Sequence, residues 1–219
     1  MGVAWASGIN LYATVVTLGV FGLTGHIDLP PELDALSSPL VLAAAGLMYC
    51  VEFVADKIPG LDTLWDSLHT FIRIPAAVIL SASAIGDVSP ALTIAAGLIG
   101  GSLATASHAT KAGSRVLINT SPEPVSNWTV SIGEDVAVFA GLWAALNHPA
   151  LFLILLVIMV LIMVWLLPKL WQGIRQLWQI IRGFGRRTPI SVIMAKNQSE
   201  SLIAPTVTKL KQFDTKPEP

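Results

Sequence analysis

The chain has 219 residues, 53% of them hydrophobic and 12% charged, with a formal net charge of −1 and a mean hydropathy of +0.69. Soluble domains carry about 25% charged residues, so this composition excludes a single water-soluble core, and the balanced charge argues against a nucleic-acid partner. The lone Cys50 sits in an apolar run, which excludes an internal disulfide and predicts a packed thiol.

Six stretches reach or approach the roughly 17–25 apolar residues that cross a bilayer. They cover residues 3–25, 39–56, 70–86, 90–107, 130–147 and 149–167. The first lacks a basic leader and a small-residue cleavage site, so it reads as a retained helix. The third carries Pro75 near its start, which is either tolerated because neighbouring helices satisfy the freed carbonyl or marks a re-entrant or broken segment. The sixth, "PALFLILLVIMVLIMVWLL", is uniformly apolar. The fold class predicted is all-α: a polytopic transmembrane bundle of about six spans, with broken segments on the cytoplasmic side.

The connecting segments orient these spans. Those around Asp28, Glu32 and Asp34, around Asp87 and around His148 hold no Lys or Arg. Lys57, Arg73, Lys111 and Arg115 fall on the other side, and nine of the 13 Lys and Arg residues lie from Lys169 onward. The positive-inside rule then puts both termini in the cytoplasm. The expected partners are membrane lipids and a small solute or ion, with homo-oligomerisation left open.

"SPLVLAAAGL" at 38–47 and "SPALTIAAGL" at 89–98 share six of ten residues, and Pro149 opens a third span. Proline is tolerated at the first turn of a helix, so the chain reads as three hairpin-like repeats over residues 1–168. After it, Leu170, Trp171, Ile174, Leu177, Trp178 and Ile181 recur on one face, with arginines elsewhere. That predicts a basic interfacial helix at 169–187. Residues 188–219 read as a flexible cytoplasmic tail.

Ionisable residues gather at one depth. Glu52, Asp56 and Lys57 close the second span, and Asp62, Asp66, His69 and Arg73 follow at helical spacing. The fourth loop supplies His108, Lys111 and Arg115, and Glu134 and Asp135 begin the fifth span. Intramembrane ionisable groups are costly and mark candidate functional sites. These twelve residues are the predicted ion- or substrate-binding and gating set.

"EFVADKIPGLDTLWDSLHTFIRIPAA", "ASGINLYATV", "SHATKAGSRVLINTSPEPVSN" and "SIGEDV" resemble a family of small bacterial integral membrane proteins grouped as a domain of unknown function. The resemblance covers roughly residues 5–150 and rests most on the E-F-x-A-D-K-x-P-x-x-D run. It implies an inner-membrane location and no particular activity.

Two chemistries compete. Acids within helices, paired with bases, suit a transporter or channel for a small solute or ion, with Glu52 and Glu134 as protonatable gates. A metal-dependent enzyme acting on a lipid or isoprenoid phosphate would use Asp62, Asp66 and His69 for a divalent cation and Lys111 and Arg115 for phosphate. No P-loop, zincin or nucleophile-elbow motif supports an enzyme, and no cofactor is predicted. A non-catalytic scaffold is the third reading.

Overall fold

The computed structural model describes residues 1–120 and 124–184. Among these the protein is all-α, with seven α-helices and one 3-10 segment. The tail at 188–219, the end of the basic helix at 185–187 and residues 121–123 of the "SPEPVSN" turn lie outside the described residues.

The first apolar stretch does not form one helix. It is α1 (Gly2–Ile9) followed by α2 (Leu11–Leu23), broken at Asn10. Asn10 adopts extended backbone angles and its side-chain oxygen accepts from the Ala13 N–H at 2.9 Å, capping α2. The hydropathy pattern hid this break because the residues on both sides of it are equally apolar.

A connection with the 3-10 segment Pro31–Ser37 leads into α3 (Pro39–Ala55), to which the segment is bent by 67°. Pro59 and Gly60 then turn the chain; Gly60 sits at φ +86, a left-handed conformation that suits glycine. Helix α4 (Leu61–Ser83) follows, with Pro75 inside an unbroken helix. Helix α5 (Pro90–Ile118) runs well past the predicted end at 107, so His108, Lys111 and Arg115 stand on a helix rather than in a loop. Helix α6 is Pro124–Asn147 and α7 is Pro149–Phe184, the latter continuing through Pro168.

The matching segments at 38–47 and 89–98 open α3 and α5 in the same way. Ser38 has φ −66 and ψ 132, Ser89 has φ −62 and ψ 146, and a proline follows each at the first helical position.

Helices α5, α6 and α7 are each long and apolar enough to cross a bilayer, and the bent pair ending in α3 adds a fourth by length and composition. Helix α4 fails an apolar count because of Asp62, Asp66 and Arg73, yet all three point inward and are buried. Its outer face carries Leu64, Leu68, Phe71, Ile72 and Ile79, and Phe71 is 81% exposed. Charge inside and hydrocarbon outside is the reverse of a water-soluble helix, and it is favourable only against lipid. This is a membrane protein. Cys50, expected to pack, faces outward from α3.

The core is small-residue packing around α1. A Cβ at Gly8 would lie 1.8 Å from the Ser107 hydroxyl, one at Gly100 would lie 2.2 Å from that of Ser81, and one at Gly141 would lie 2.3 Å from the Trp5 ring. Close backbone approach of this kind is how helices associate in lipid. Trp5, Val138, Leu142, Phe152 and Leu156 form one apolar cluster beside it.

The chain divides into two compact units at Ile174 and Arg175. Of the second, the described part is the last turns of α7, where Trp178 and Ile180 are exposed.

Candidate functional site

The ionisable residues converge within the bundle. Helix α3 delivers Glu52 at its last turn and Asp56 just beyond; α4 presents Asp62, Asp66, His69 and Arg73 along one stripe; α5 contributes His108, Lys111 and Arg115; α6 brings Glu134 and Asp135. The spacings of three and four residues from Glu52 to Asp56, along α4 and along α5 keep those groups on one face, whereas Glu134 and Asp135 are consecutive on α6.

Lys111 is the centre. Its Nζ lies 3.1 Å from Glu52 Oε1, 2.8 Å from Asp56 Oδ2 and 3.7 Å from Asp66 Oδ1. It also donates to the Ile9 carbonyl at 3.2 Å, the C-terminal end of α1, where the helix dipole favours a cation. Arg73 Nη2 meets Glu52 Oε1 at 2.7 Å, and its Nη1 meets Asp66 Oδ1 at 3.3 Å. Arg115 bonds Glu134, Asn127 and the Asp56 carbonyl, and lies 3.6 Å from Asp56 Oδ2. These seven ionic groups form one network.

The remaining predicted residues sit around it. Arg73 donates to His108 Nδ1 at 3.1 Å. The Thr70 hydroxyl donates to the Asp66 carbonyl, so at 2.7 Å it must accept from His108 Nε2–H. Both ring nitrogens are therefore assigned, and His108 is held neutral. His69 donates from Nδ1 to the Trp65 carbonyl, faces the Tyr12 hydroxyl through Nε2 and stacks on Trp65. Asp62 is a local cap, accepting from the Gly60 and Thr63 amides and from Asn119 Nδ2. Asp135 is held by Asn10 Nδ2 at 3.1 Å. Lys57 lies at the rim over the Phe53 ring. Burial pulls its amine below the ordinary value, with Asp135 and Asp56 pulling back.

Sequence reasoning missed Asn10, Tyr12, Asn119 and Asn127. Asn10 and Tyr12 carried a signal, as polar groups inside an otherwise apolar run; Asn119 and Asn127 lay in a stretch read as loop.

The charges do not balance. Five carboxylates, Glu52, Asp56, Asp62, Asp66 and Asp135, are buried to 7% exposure or less, against three cations, Arg73, Lys111 and Arg115. Glu134, the part-buried partner of Arg115, and Lys57 at the rim add one charge of each sign and leave the difference unchanged. Among the described residues, Glu52 Oε2, Asp56 Oδ1 and Asp66 Oδ2 accept no hydrogen bond. An excess of about two buried negative charges is unfavourable unless protons or a further cation join the cluster.

For a metal, the chemistry is specific. Glu52, Asp56 and Asp66 each offer an oxygen within 4.8 Å of the others, but the Lys111 ammonium stands among those same oxygens. A tethered cation, 2.8–3.7 Å from one oxygen of each of the three residues, already supplies positive charge to this trio. Asp62, Asp66 and His69, the trio considered from spacing, make separate contacts: Asp62 to Asn119, Asp66 to Arg73 and His69 to Tyr12.

The model of a family described as a domain of unknown function (DUF4126) matches residues 1–169. The chain belongs to this family. The DUF4126 match contains every residue of the ionic cluster and ends at Lys169, so the cluster is part of the family domain rather than an appendage to it. No curated protein and no solved structure matches the chain.

Proposed function

We propose that the protein moves a small solute or ion across the membrane, with protons carried on the buried carboxylates. The observation that supports this reading is the excess of buried acid over base around Lys111. Intramembrane carboxylates that outnumber their cationic partners are the groups that proton relays in transporters are built from. Glu52 is the shared acceptor of Arg73 and Lys111, and Glu134 is the outlying partner of Arg115. Protonating Glu52 would free both cations to take an anionic group or to shift toward Asp56 and Asp66.

The broken helix at Asn10 adds support. Interrupted helices whose backbone ends face an ion or substrate are a recurring feature of secondary transporters. The paired openings at Ser38 and Ser89 are read as an internal duplication of α3–α4 and α5–α6, which is also common among transporters. The stretch from Lys169 is read as an interfacial basic helix on the cytoplasmic surface.

The test is proton flux in liposomes carrying the purified protein and an internal pH dye. Under an imposed gradient the native protein should dissipate it faster than empty vesicles. Glu52→Gln should lower that rate at least tenfold. Flux unchanged in both Glu52→Gln and Glu134→Gln would overturn the proposal.

A further inference from the structure

Helices α3 to α7 alternate in direction. The start of α3, the end of α4, the start of α5, the end of α6 and the start of α7 share one end of the bundle, joined by the short connections 84–89 and 148. That end carries Asp28, Glu32, Asp34 and Asp87 and no Lys or Arg. Three sets of contacts place α1 and α2 against this frame.

Gly2 lies against Ala145 and Phe152, which mark the acidic end of α6 and α7. Moving along α1, Trp5 meets Gly141, and Asn10 meets Asp135. Helix α1 therefore descends from the acidic end toward the ionic cluster, antiparallel to α6. Along α5 the register agrees: Ala4 is beside Gly100, Gly8 beside Ala104 and Ser107, and Ile9 beside Lys111. Helix α2 then returns. Tyr12 reaches His69, Gly19 lies against Leu36 and Leu42, and Gly22 against Leu29 and Ser37, back at the acidic end. With 8 and 13 residues, the two helices are about 12 and 20 Å long, each short of the roughly 30 Å hydrocarbon core.

We infer that residues 2–23 form a re-entrant hairpin that enters and leaves on the acidic side and plugs the ionic cluster from that side with its tip at Ile9 and Asn10. The membrane is then crossed five times, by α3 to α7, and residue 2 lies on the opposite face from the turn at Pro59 and Gly60 that joins α3 to α4. The tip is built for its position. The Ile9 carbonyl faces the Lys111 ammonium, and the Asn10 amide donates to Asp135 while its oxygen caps α2. A polar apex at membrane depth is tolerated only where protein surrounds it, and Asn10 is 1% exposed. The positive-inside rule still holds with this arrangement, since Lys57 after α3 and Lys169 on α7 both lie away from the acidic end. Residue 2 then faces the exterior.

The inference does not depend on transport and is tested without a flux assay. An uncharged epitope is fused ahead of residue 1, and single cysteines replace Asp28, Asp87 or Ile58 on a Cys50→Ala background. An impermeant maleimide and an anti-epitope antibody are applied to intact cells. The epitope, Asp28→Cys and Asp87→Cys should all be reached from outside, and Ile58→Cys only after permeabilisation. An epitope protected together with Ile58→Cys means that residues 2–23 cross the membrane, and the inference fails. In the untagged chain, Gly2→Cys with Ala145→Cys should form a disulfide under mild oxidant, because a Cβ at residue 2 lies 2.9 Å from that of Ala145 and an outward shift of under about 1 Å at the helix start reaches the roughly 3.5–4.5 Å a disulfide spans. In a folded double variant, a pair that stays reduced also overturns it.

Discussion

Because the cluster holds more acid than base, neutralising one of its bases should cost far more than neutralising one of its acids. Arg73 is fully buried and contacts Glu52, Asp66 and His108. Replacing it with Met leaves Glu52 and Asp66 to share the Lys111 ammonium, and removing one partner of a buried ion pair costs about 3–5 kcal/mol. Asp66→Asn removes one charge from a trio whose oxygens lie within 4.8 Å of one another. The repulsion of Asp66 by Glu52 and Asp56 is about 3.5 kcal/mol each at an effective dielectric near 20. Together with the relieved desolvation of a buried charge, this offsets the lost attraction to Arg73 at 3.3 Å and Lys111 at 3.7 Å, about 5 and about 4.5 kcal/mol on the same scale. Thermal unfolding in detergent, followed through the seven tryptophans, reads the difference. At this size each kcal/mol moves Tm by about 2–4 °C. Arg73→Met should therefore lose about 6–20 °C, and Asp66→Asn should stay within about 4 °C of the native protein. Equal losses, or a larger loss for Asp66→Asn, would refute the charge-excess argument.

Removing the Lys111 ammonium should turn the three-carboxylate group into a divalent-ion site. Saturating Mg²⁺ should raise the Tm of Lys111→Ala and leave that of the native protein unchanged; at 100 times Kd the gain is about 2.7 kcal/mol. Gly8→Val should cost about 1–3 kcal/mol or more by forcing α1 from α5, since its Cβ would lie 2.4 Å from the Ala104 carbonyl oxygen, whereas Gly46→Ala, with nothing within 4 Å, should be neutral or stabilising in the same melt. Asn10→Ala loses both the α2 cap and the bond to Asp135, a destabilisation of about 1–3 kcal/mol, while Asn10→Asp should keep the cap and still lose stability by adding a further negative charge beside Asp135.

Much of the site could be read before the fold was known, because charged residues within apolar segments stand out and helical spacing groups them. The spacing of Asp62, Asp66, His69 and Arg73 was enough to put them on one face of α4. What spacing could not supply was the pairing between helices. That Lys111 would sit among Glu52, Asp56 and Asp66 depends on packing around α1. Hydropathy also overextended the first span, since a window average is blind to a single extended residue such as Asn10. It clipped α5 for the opposite reason: His108, Lys111 and Arg115 read as loop residues although each is buried on a helix.

The inward stripe of α4 also bears on how the protein is made. On insertion scales, a lone charged side chain at the centre of a bilayer costs about 2.5–3.5 kcal/mol, and Asp66 and Arg73 both ride on this helix. Released alone into lipid, α4 would be a poor guest. It gains its keep only when α3 brings Glu52 and α5 brings Lys111, the latter 38 residues of synthesis after Arg73. Glu52 is already made when α4 appears, so the segment waits beside the translocation machinery, or at the lipid surface, until Lys111 emerges, and biogenesis of this domain proceeds by groups of helices rather than one at a time.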